Sequence, residues 1–246
     1  RTWTRLGTDL PAEPVNVVLE DPHNPDLLFV GTDHALYASL DGGATFMGMG
    51  GLPAVPVHDL KIQARARDLI VGTHGRSIYR AAIAPVEALT PALQAEPVFV
   101  FALDPVSHRD SWGRRFASWS EPDAPEITVV YFAGSAGPAT VRIRAEDGAV
   151  LQTLEDAAER GLNYAAYDLS MDPAAAERLN EQRADDDEAD PLEPADDGVI
   201  YLPPGTYTVE VEIGGETATE TLNLEVRRRR GAAEPAMGPE GDDEIK

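Results

Sequence analysis

With 246 residues and 43% hydrophobic content, the chain can build one large domain or two modest ones. Its net charge of −23, from 43 acidic against 20 basic residues, makes nucleic acid and anionic membrane surfaces poor partners. It has no cysteine, which excludes disulfide scaffolds, thiol catalysis and cysteine-based zinc sites, and no stretch reaches the roughly 18 apolar residues of a membrane span.

The chain opens on Arg1-Thr2-Trp3-Thr4-Arg5, without an initiator methionine and in mid-pattern, so it reads as a fragment or a processed piece. The lack of a signal peptide then says nothing about the parent protein. Trp3-Thr4-Arg5-Leu6 reads as an outer strand left over from a preceding unit. A near-repeat follows. Pro14-Val15 leads to Leu28-Phe29-Val30-Gly31-Thr32 and Ala35-Leu36-Tyr37, and Pro56-Val57 leads to Leu69-Ile70-Val71-Gly72-Thr73 and Ser77-Ile78-Tyr79. Each unit predicts strand, turn, strand, turn, strand, and the offset is that of a propeller blade, about 40–45 residues. The first unit predicts strands over 15–19, 27–31 and 35–39 and a fourth around 46–49. In the second unit the third strand, 77–83, runs instead into Pro85 and a proline-punctuated connector, 85–97, with a helical turn expected within 87–94.

Between the third and fourth strands of the first unit stands Ser39-Leu40-Asp41-Gly42-Gly43-Ala44-Thr45-Phe46. Asp41 can accept hydrogen bonds from the amides that follow it, and Gly42 and Gly43 supply backbone angles that other residues resist. Ser39 and Thr45 face each other across the turn, and Phe46 returns to the apolar layer. An ordinary Asp-Gly hairpin explains these residues equally well.

Beyond the connector the pattern changes. Strands are expected over 97–101, 126–131, 139–144, 150–154, 163–169, 198–202 and 217–226 and a turn and strand over 203–211, with Glu146-Asp147-Gly148 and Gly214-Gly215 as turns. This is the signature of an Ig-like β-sandwich over 98–226. An acidic insertion, 170–197, carries a short predicted helix over 173–183 and the charge run Asp185-Asp186-Asp187-Glu188-Ala189-Asp190. The run lacks the spaced Asp-x-Asp-x-Asp-Gly ligand pattern with its distal Glu, so a solvated loop is expected in preference to a calcium site. The tail, 227–246, is expected to be mobile.

Ser39, Asp41, Gly43, Thr45 and the aromatic Phe46 resemble the Asp-box, with Phe in place of the usual Trp. This box, also called the BNR repeat, recurs in the β-propellers of sialidases, sortilin-type receptors and xyloglucanase-like glycosidases. There it is a folding element on the rim away from the catalytic face. Val71-Gly72-Thr73-His74-Gly75-Arg76-Ser77-Ile78-Tyr79 resembles the last-blade signature of large bacterial or archaeal sortilin-like, glycosyl-hydrolase-type propellers. Gly161-Leu162-Asn163-Tyr164-Ala165-Ala166-Tyr167-Asp168-Leu169 and Pro204-Gly205-Thr206-Tyr207 resemble the Ig-like modules that follow such propellers.

The resemblance implies an all-β chain: terminal β-propeller blades of an incomplete ring over 1–84, a linker over 85–97, then the Ig-like β-sandwich. It also implies an extracytoplasmic location. The turns opposite the Asp-box would line the ligand face, making Asp33, His34, His74 and Arg76 the candidate binding residues. Read from their residues alone, these are solvated turn residues in preference to a binding site. Arg76, with its planar donor fork, is the best single candidate to hold a carboxylate or other anion.

No catalytic constellation is apparent: the five histidines (23, 34, 58, 74 and 108) are not at metal-ligand spacing, and no Gly-x-Ser-x-Gly elbow or phosphate loop occurs. No catalytic residue, metal or cofactor is assigned. The expectation is a non-catalytic C-terminal portion acting in binding or assembly, with the remaining blades and a glycan or peptide as partners. The alternatives are the accessory part of a glycoside hydrolase whose paired carboxylates lie upstream, or part of a sortilin-like peptide receptor. The acid excess, with only Lys61 and Lys246 as lysines, fits adaptation to high salt, or a GC-rich genome plus an acidic loop.

Overall fold

The computed structural model describes residues 2–117, 119–183 and 191–226. The charge run 185–190 and the tail 227–246 lie outside the described residues. The fold is all-β. The first unit has strands β1 (Val15–Glu20), β2 (Leu28–Thr32), β3 (Leu36–Ser39) and β4 (Met47–Met49), joined antiparallel with Val18 opposite Val30 and Tyr37 opposite Gly48. The second has only β5 (Val57–Gln63), β6 (Asp68–Thr73) and β7 (Ile78–Ala82), a separate three-stranded sheet with Leu60 opposite Val71 and Val71 opposite Tyr79. After β7 the chain turns into α1 (Ala84–Glu87), with Pro85 in its first turn, where a missing amide is tolerated. The connector adds a 3-10 turn at Leu93–Ala95.

The remaining strands are β8 (Val98–Val100), β9 (Val106–His108), β10 (Ile127–Ala133), β11 (Gly137–Arg144), β12 (Val150–Ala158), β13 (Gly161–Tyr167), β14 (Gly205–Ile213) and β15 (Glu216–Val226). Helix α2 (Pro173–Arg183) occupies the span predicted for it. A five-stranded sheet, β12-β11-β14-β15-β9, faces β13, β10 and β8 across a core that includes Val129, Tyr131, Val141, Ile143, Tyr167, Val209 and Leu222.

The two segments that the sequence separates share a sheet. β4 pairs parallel with β13, Gly48 opposite Gly161 and Met49 opposite Leu162, so the order runs β1-β2-β3-β4-β13-β10-β8. The amide of Gly50 extends the pairing to the Leu162 carbonyl at 2.8 Å. Gly161 makes this approach possible: its φ is +117°, and a Cβ there would stand 2.6 Å from the Gly48 carbonyl oxygen. Strand alternation gives β10 and β13 an apolar residue on each face. Val129, Tyr131, Ala165 and Tyr167 enter the sandwich core, while Phe132 and Leu162, with Val130 and Tyr164 beside them, enter a second core shared with Leu60, Leu69, Val71, Ile83 and Val86. The β13-β10-β8 part of the seven-stranded sheet is thus a wall between two cores.

Three expectations need correction. Residues 198–202 form only an isolated bridge, Ser170 with Tyr201, because Pro203 and Pro204 have no amides with which to continue a ladder. β9, unforeseen in a polar stretch, is a three-residue parallel addition to β15, with Val106 opposite Leu224. Trp3 to Leu6 joins no strand, and Trp3 is 96% exposed.

Candidate functional site

The turn at 39–46 is built as its residues suggest. The Ser39 hydroxyl donates to Asp41 Oδ1 and accepts the Gly43 amide, both at 2.8 Å. The Thr45 amide reaches Asp41 Oδ1 at 2.8 Å and its hydroxyl reaches Oδ2 at 2.7 Å. Gly42 and Gly43 have φ of +67° and +90°. Burial pushes the Asp41 carboxyl up, but the bonds from Thr45 and Ser39 outweigh it and leave it below its usual range. The whole device is local, within seven residues of chain.

Next to it lies the β1–β2 turn, whose Asp26 carbonyl accepts the Gly42 amide at 2.9 Å. There the buried Asp21 accepts the His23 and Asn24 amides at 2.7 and 3.1 Å, and an Arg67 Nη2 donor at 2.7 Å from the β5–β6 turn of the second unit. Arg67 also bonds Glu87 of α1. One rim of both units is therefore tied by a buried ion pair.

The opposite rim holds the candidate binding residues. Val15 pairs with Thr32 and Val57 with Thr73, and Val57 packs so closely on Gly31 that a Cβ there would be 2.6 Å from its Cγ1. The Asp33-His34 and His74–Arg76 turns thus stand at the same end of two stacked sheets. Asp33 accepts the Asn16 amide group at 2.9 Å. His34 pairs with Glu13, and the Thr32 hydroxyl and this ring hold the Glu13 carboxyl below its usual range. His74 lies against His58, ring centres 5.4 Å apart and planes tilted by 51°. Arg76 is exposed and makes no hydrogen bond or ion pair among the described residues. Its guanidinium is open to an anion, whereas Asp33 and His34 are already engaged. Glu13, Asn16 and His58 were not singled out from the sequence. Each lies in or just before the first strand of its unit, and only the pairing of that strand with the second brings it to the turn.

The structure adds a cleft that no motif announces. It has a volume of about 480 Å³ and lies between β7 and the seven-stranded sheet. Leu36, Met49, Val130 and Tyr164 contribute apolar surface from that sheet, Tyr79 and Ala81 from β7, and Asp68, Arg80 and Asp104 are its charges. Arg80 meets Asp68 at 3.2 Å. Arg80, Pro85, Asp104, Thr128 and Val130 also line a groove of about 870 Å³ that continues past the connector to Arg109 and Trp112. The Tyr164 hydroxyl is buried without a hydrogen-bond partner, and burial pushes its phenol up to about 12. A second, smaller cavity of about 260 Å³ on the same glycine-rich stretch, Met49 to Leu52, is lined by His34, Asp156 and Glu159. No group of three or more His, Asp or Glu suited to a metal ion occurs among the described residues. No helix among them is long and apolar enough to cross a membrane.

No family model and no curated protein sequence matches the chain. Among solved structures it is similar to trypsin-activated alpha-2-macroglobulin from Escherichia coli, with 10% identity and a TM-score of 0.29 over 80% of this chain and 12% of that one. It is also similar to the BSP domain of a biofilm-associated protein, with 10% identity and a TM-score of 0.26 over 82% of this chain and 28% of that one. A third is the extracellular domain of a one-component system from B. thetaiotaomicron, with 8% identity and a TM-score of 0.24 over 86% of this chain and 25% of that one. The chain thus spans between about an eighth and somewhat over a quarter of the length of these chains.

Proposed function

We infer that this chain is a non-catalytic C-terminal portion of an extracytoplasmic Asp-box β-propeller protein, acting in binding or assembly. β1 to β4 and β5 to β7 are consecutive blades, and the Ig-like sandwich buttresses them through the shared sheet. The observation that carries this reading is an uncovered apolar face. The first unit buries Phe29, Leu36 and Ala38 against the second, while on its other side Val18 is 60% exposed and Val15 50%, and the exposed Leu6 lies by Gly43; Trp3 is exposed as well. Such a face in a water-soluble sheet marks a contact with a partner, and here the fitting partner is a further blade. The 39–46 turn and the Asp33/Arg76 rim then take the structural and ligand-facing sides of the propeller, with Arg76 as the anion-binding residue.

Two measurements test this. On a panel of xyloglucan and sialoside substrates the chain should release no sugar; release above background would overturn the non-catalytic reading. An apolar dye such as ANS should fluoresce with the chain and lose most of that signal in a Val18→Glu/Trp3→Ser variant. An unchanged signal would remove the uncovered face as the basis of the reading.

A further inference from the structure

We propose that a cavity at the end of β15 is a docking site for guanidinium groups, and that its occupant is the arginine run 227–230 of the same chain. β15 lies between two neighbours. It runs parallel to β9, with Val226 opposite His108, and antiparallel to β14, with Leu224 opposite Gly205. His108 on the one side, and Pro203 and Pro204 just before β14 on the other, are walls of one cavity of about 410 Å³. The strand therefore delivers the chain to this cavity at Val226, which is 70% exposed. Parallel pairing also sets the heading: β15 ends pointing the way β9 continues, towards Arg109 and Trp112. The next four residues are all arginines, and four residues span at most about 14 Å.

The walls suit that cargo. Trp112 and Tyr201 both line the cavity, their ring centres 6.0 Å apart. A guanidinium stacks on aromatic rings and bonds carboxylates through its planar donor fork. Two exposed carboxylates, Asp110 and Glu193, line the cavity as well. The ion partner of Asp110 is His108, at 3.9 Å, and Glu193 makes no hydrogen bond or ion pair among the described residues. Asp197 accepts the Tyr201 hydroxyl at 2.7 Å. Burial, that bond and the charges of Asp197, Asp168 and Asp123 all push the Tyr201 phenol up, so the field here is negative. Against these acids the wall holds one arginine, Arg109. Unpaired carboxylates are common on a chain of net charge −23. What sets this group apart is its pair of aromatic walls and a strand that ends at it with four arginines to follow. Docked there, the run ties the end of β15 to the segment 191–193 across the cavity. None of this rests on the propeller reading, so failure of either leaves the other standing.

The test uses full-length proteins, each shown to be folded by circular dichroism. In an Arg227→Ser/Arg228→Ser/Arg229→Ser/Arg230→Ser variant the cavity loses its occupant. A fluorescein-labelled tetra-arginine peptide should bind this variant at least ten-fold more tightly than the parent, whose own arginines compete for the site. Adding Asp110→Asn/Glu193→Gln to the serine variant should remove most of that binding. Adding Glu146→Gln/Glu155→Gln, the same charge change at exposed residues elsewhere, should leave it. Equal binding by parent and serine variant overturns the proposal, and so do equal losses from the two pairs of neutralisations. Trypsin identifies the occupant. Cleavage within 227–230, followed by mass spectrometry, should be at least ten-fold faster in Asp110→Asn/Glu193→Gln than in the parent, at any protein concentration. Equal rates overturn the proposal. Protection that grows with protein concentration also overturns it, since the cavity would then hold the arginines of a second copy.

Discussion

Tyr131 and Tyr164 stand on adjacent strands of the shared sheet with their hydroxyls in opposite circumstances. The Tyr131 hydroxyl donates to Asp156 Oδ2 at 2.7 Å, whereas that of Tyr164 is buried with no partner. Tyr131→Phe takes the donor from Asp156 Oδ2 and should cost about 1.5 kcal/mol, while Tyr164→Phe removes an unsatisfied group and should be neutral or stabilising by about 1 kcal/mol. Urea denaturation of the two variants measures both signs. Asp21 sets the pH response at this scale. Burial raises its carboxyl, but Arg67 and the His23 and Asn24 amides overcome that and hold it below its ordinary value of 3.8. A carboxyl depressed in the folded state contributes stability that is complete above its unfolded pKa and lost as pH falls through the lower folded one. Asp21→Asn keeps Oδ1 as the acceptor for the two amides but sets an NH2 donor where Oδ2 accepts Arg67, so it removes the charge and that hydrogen bond together. It should cost about 2 kcal/mol at pH 7, the usual worth of a hydrogen bond to a charged partner. Its melting temperature should fall less steeply than the parent's below pH 3.8. Parallel curves for the two proteins would show that the pair contributes nothing to the acid transition. The 39–46 turn was legible in the sequence because its bonds span at most four residues, whereas Asp21 and Arg67 are 46 residues apart and neither carries a local signal.

The decisive contact between elements is the parallel step from β4 to β13. Gly161→Ala puts a methyl group 2.6 Å from the Gly48 carbonyl oxygen and forces alanine to a φ of +117°. Both effects oppose the pairing and should together cost more than about 2 kcal/mol. Because this step carries the backbone ladder between the two cores, the variant should melt in two transitions where the parent melts in one. A single transition, merely shifted, would mean that the apolar contacts of Leu162 and Phe132 suffice to couple the cores. The same contact separates what could be read in the sequence from what could not. Strands with period-two patterns and glycine turns, such as β11 with β12 and β14 with β15, were legible because hairpin partners are neighbours in the chain. β4 and β13 are not neighbours, and their only sequence trace is a scatter of glycines at 48, 50, 51 and 161 whose meaning appears once the strands meet. β9 was illegible for the same reason: its partner β15 lies at the far end of the sandwich sequence. The apolar residues on both faces of β10 marked a strand but did not disclose that two cores claim it.

At the scale of the whole molecule the net charge of −23 competes with the ion pairs inside it. On the outer face of the five-stranded sheet Arg142 meets Glu212 at 2.5 Å and Glu210 at 3.1 Å, and Arg144 meets Glu210 at 2.8 Å. Salt weakens these pairs and also the repulsion among the excess carboxylates, so the two act in opposite directions. The pairs are partly exposed, and such pairs are worth about 0.2–1 kcal/mol each. The repulsion is summed over every unpaired acid and destabilises the compact state. Repulsion should therefore dominate, and melting temperature should rise with potassium chloride. A gain of about 2 kcal/mol corresponds to roughly 4–8 °C for a chain of this size. The shape of the curve separates screening from other salt effects. The Debye length falls from about 10 Å at 0.1 M to about 3 Å at 1 M, so a screening gain is largely complete by the upper end of that range and then flattens. A flat or falling curve between low and molar salt would mean that the arginine–glutamate pairs outweigh the repulsion. An acid-rich composition would then not be an adaptation of this fold to high salt.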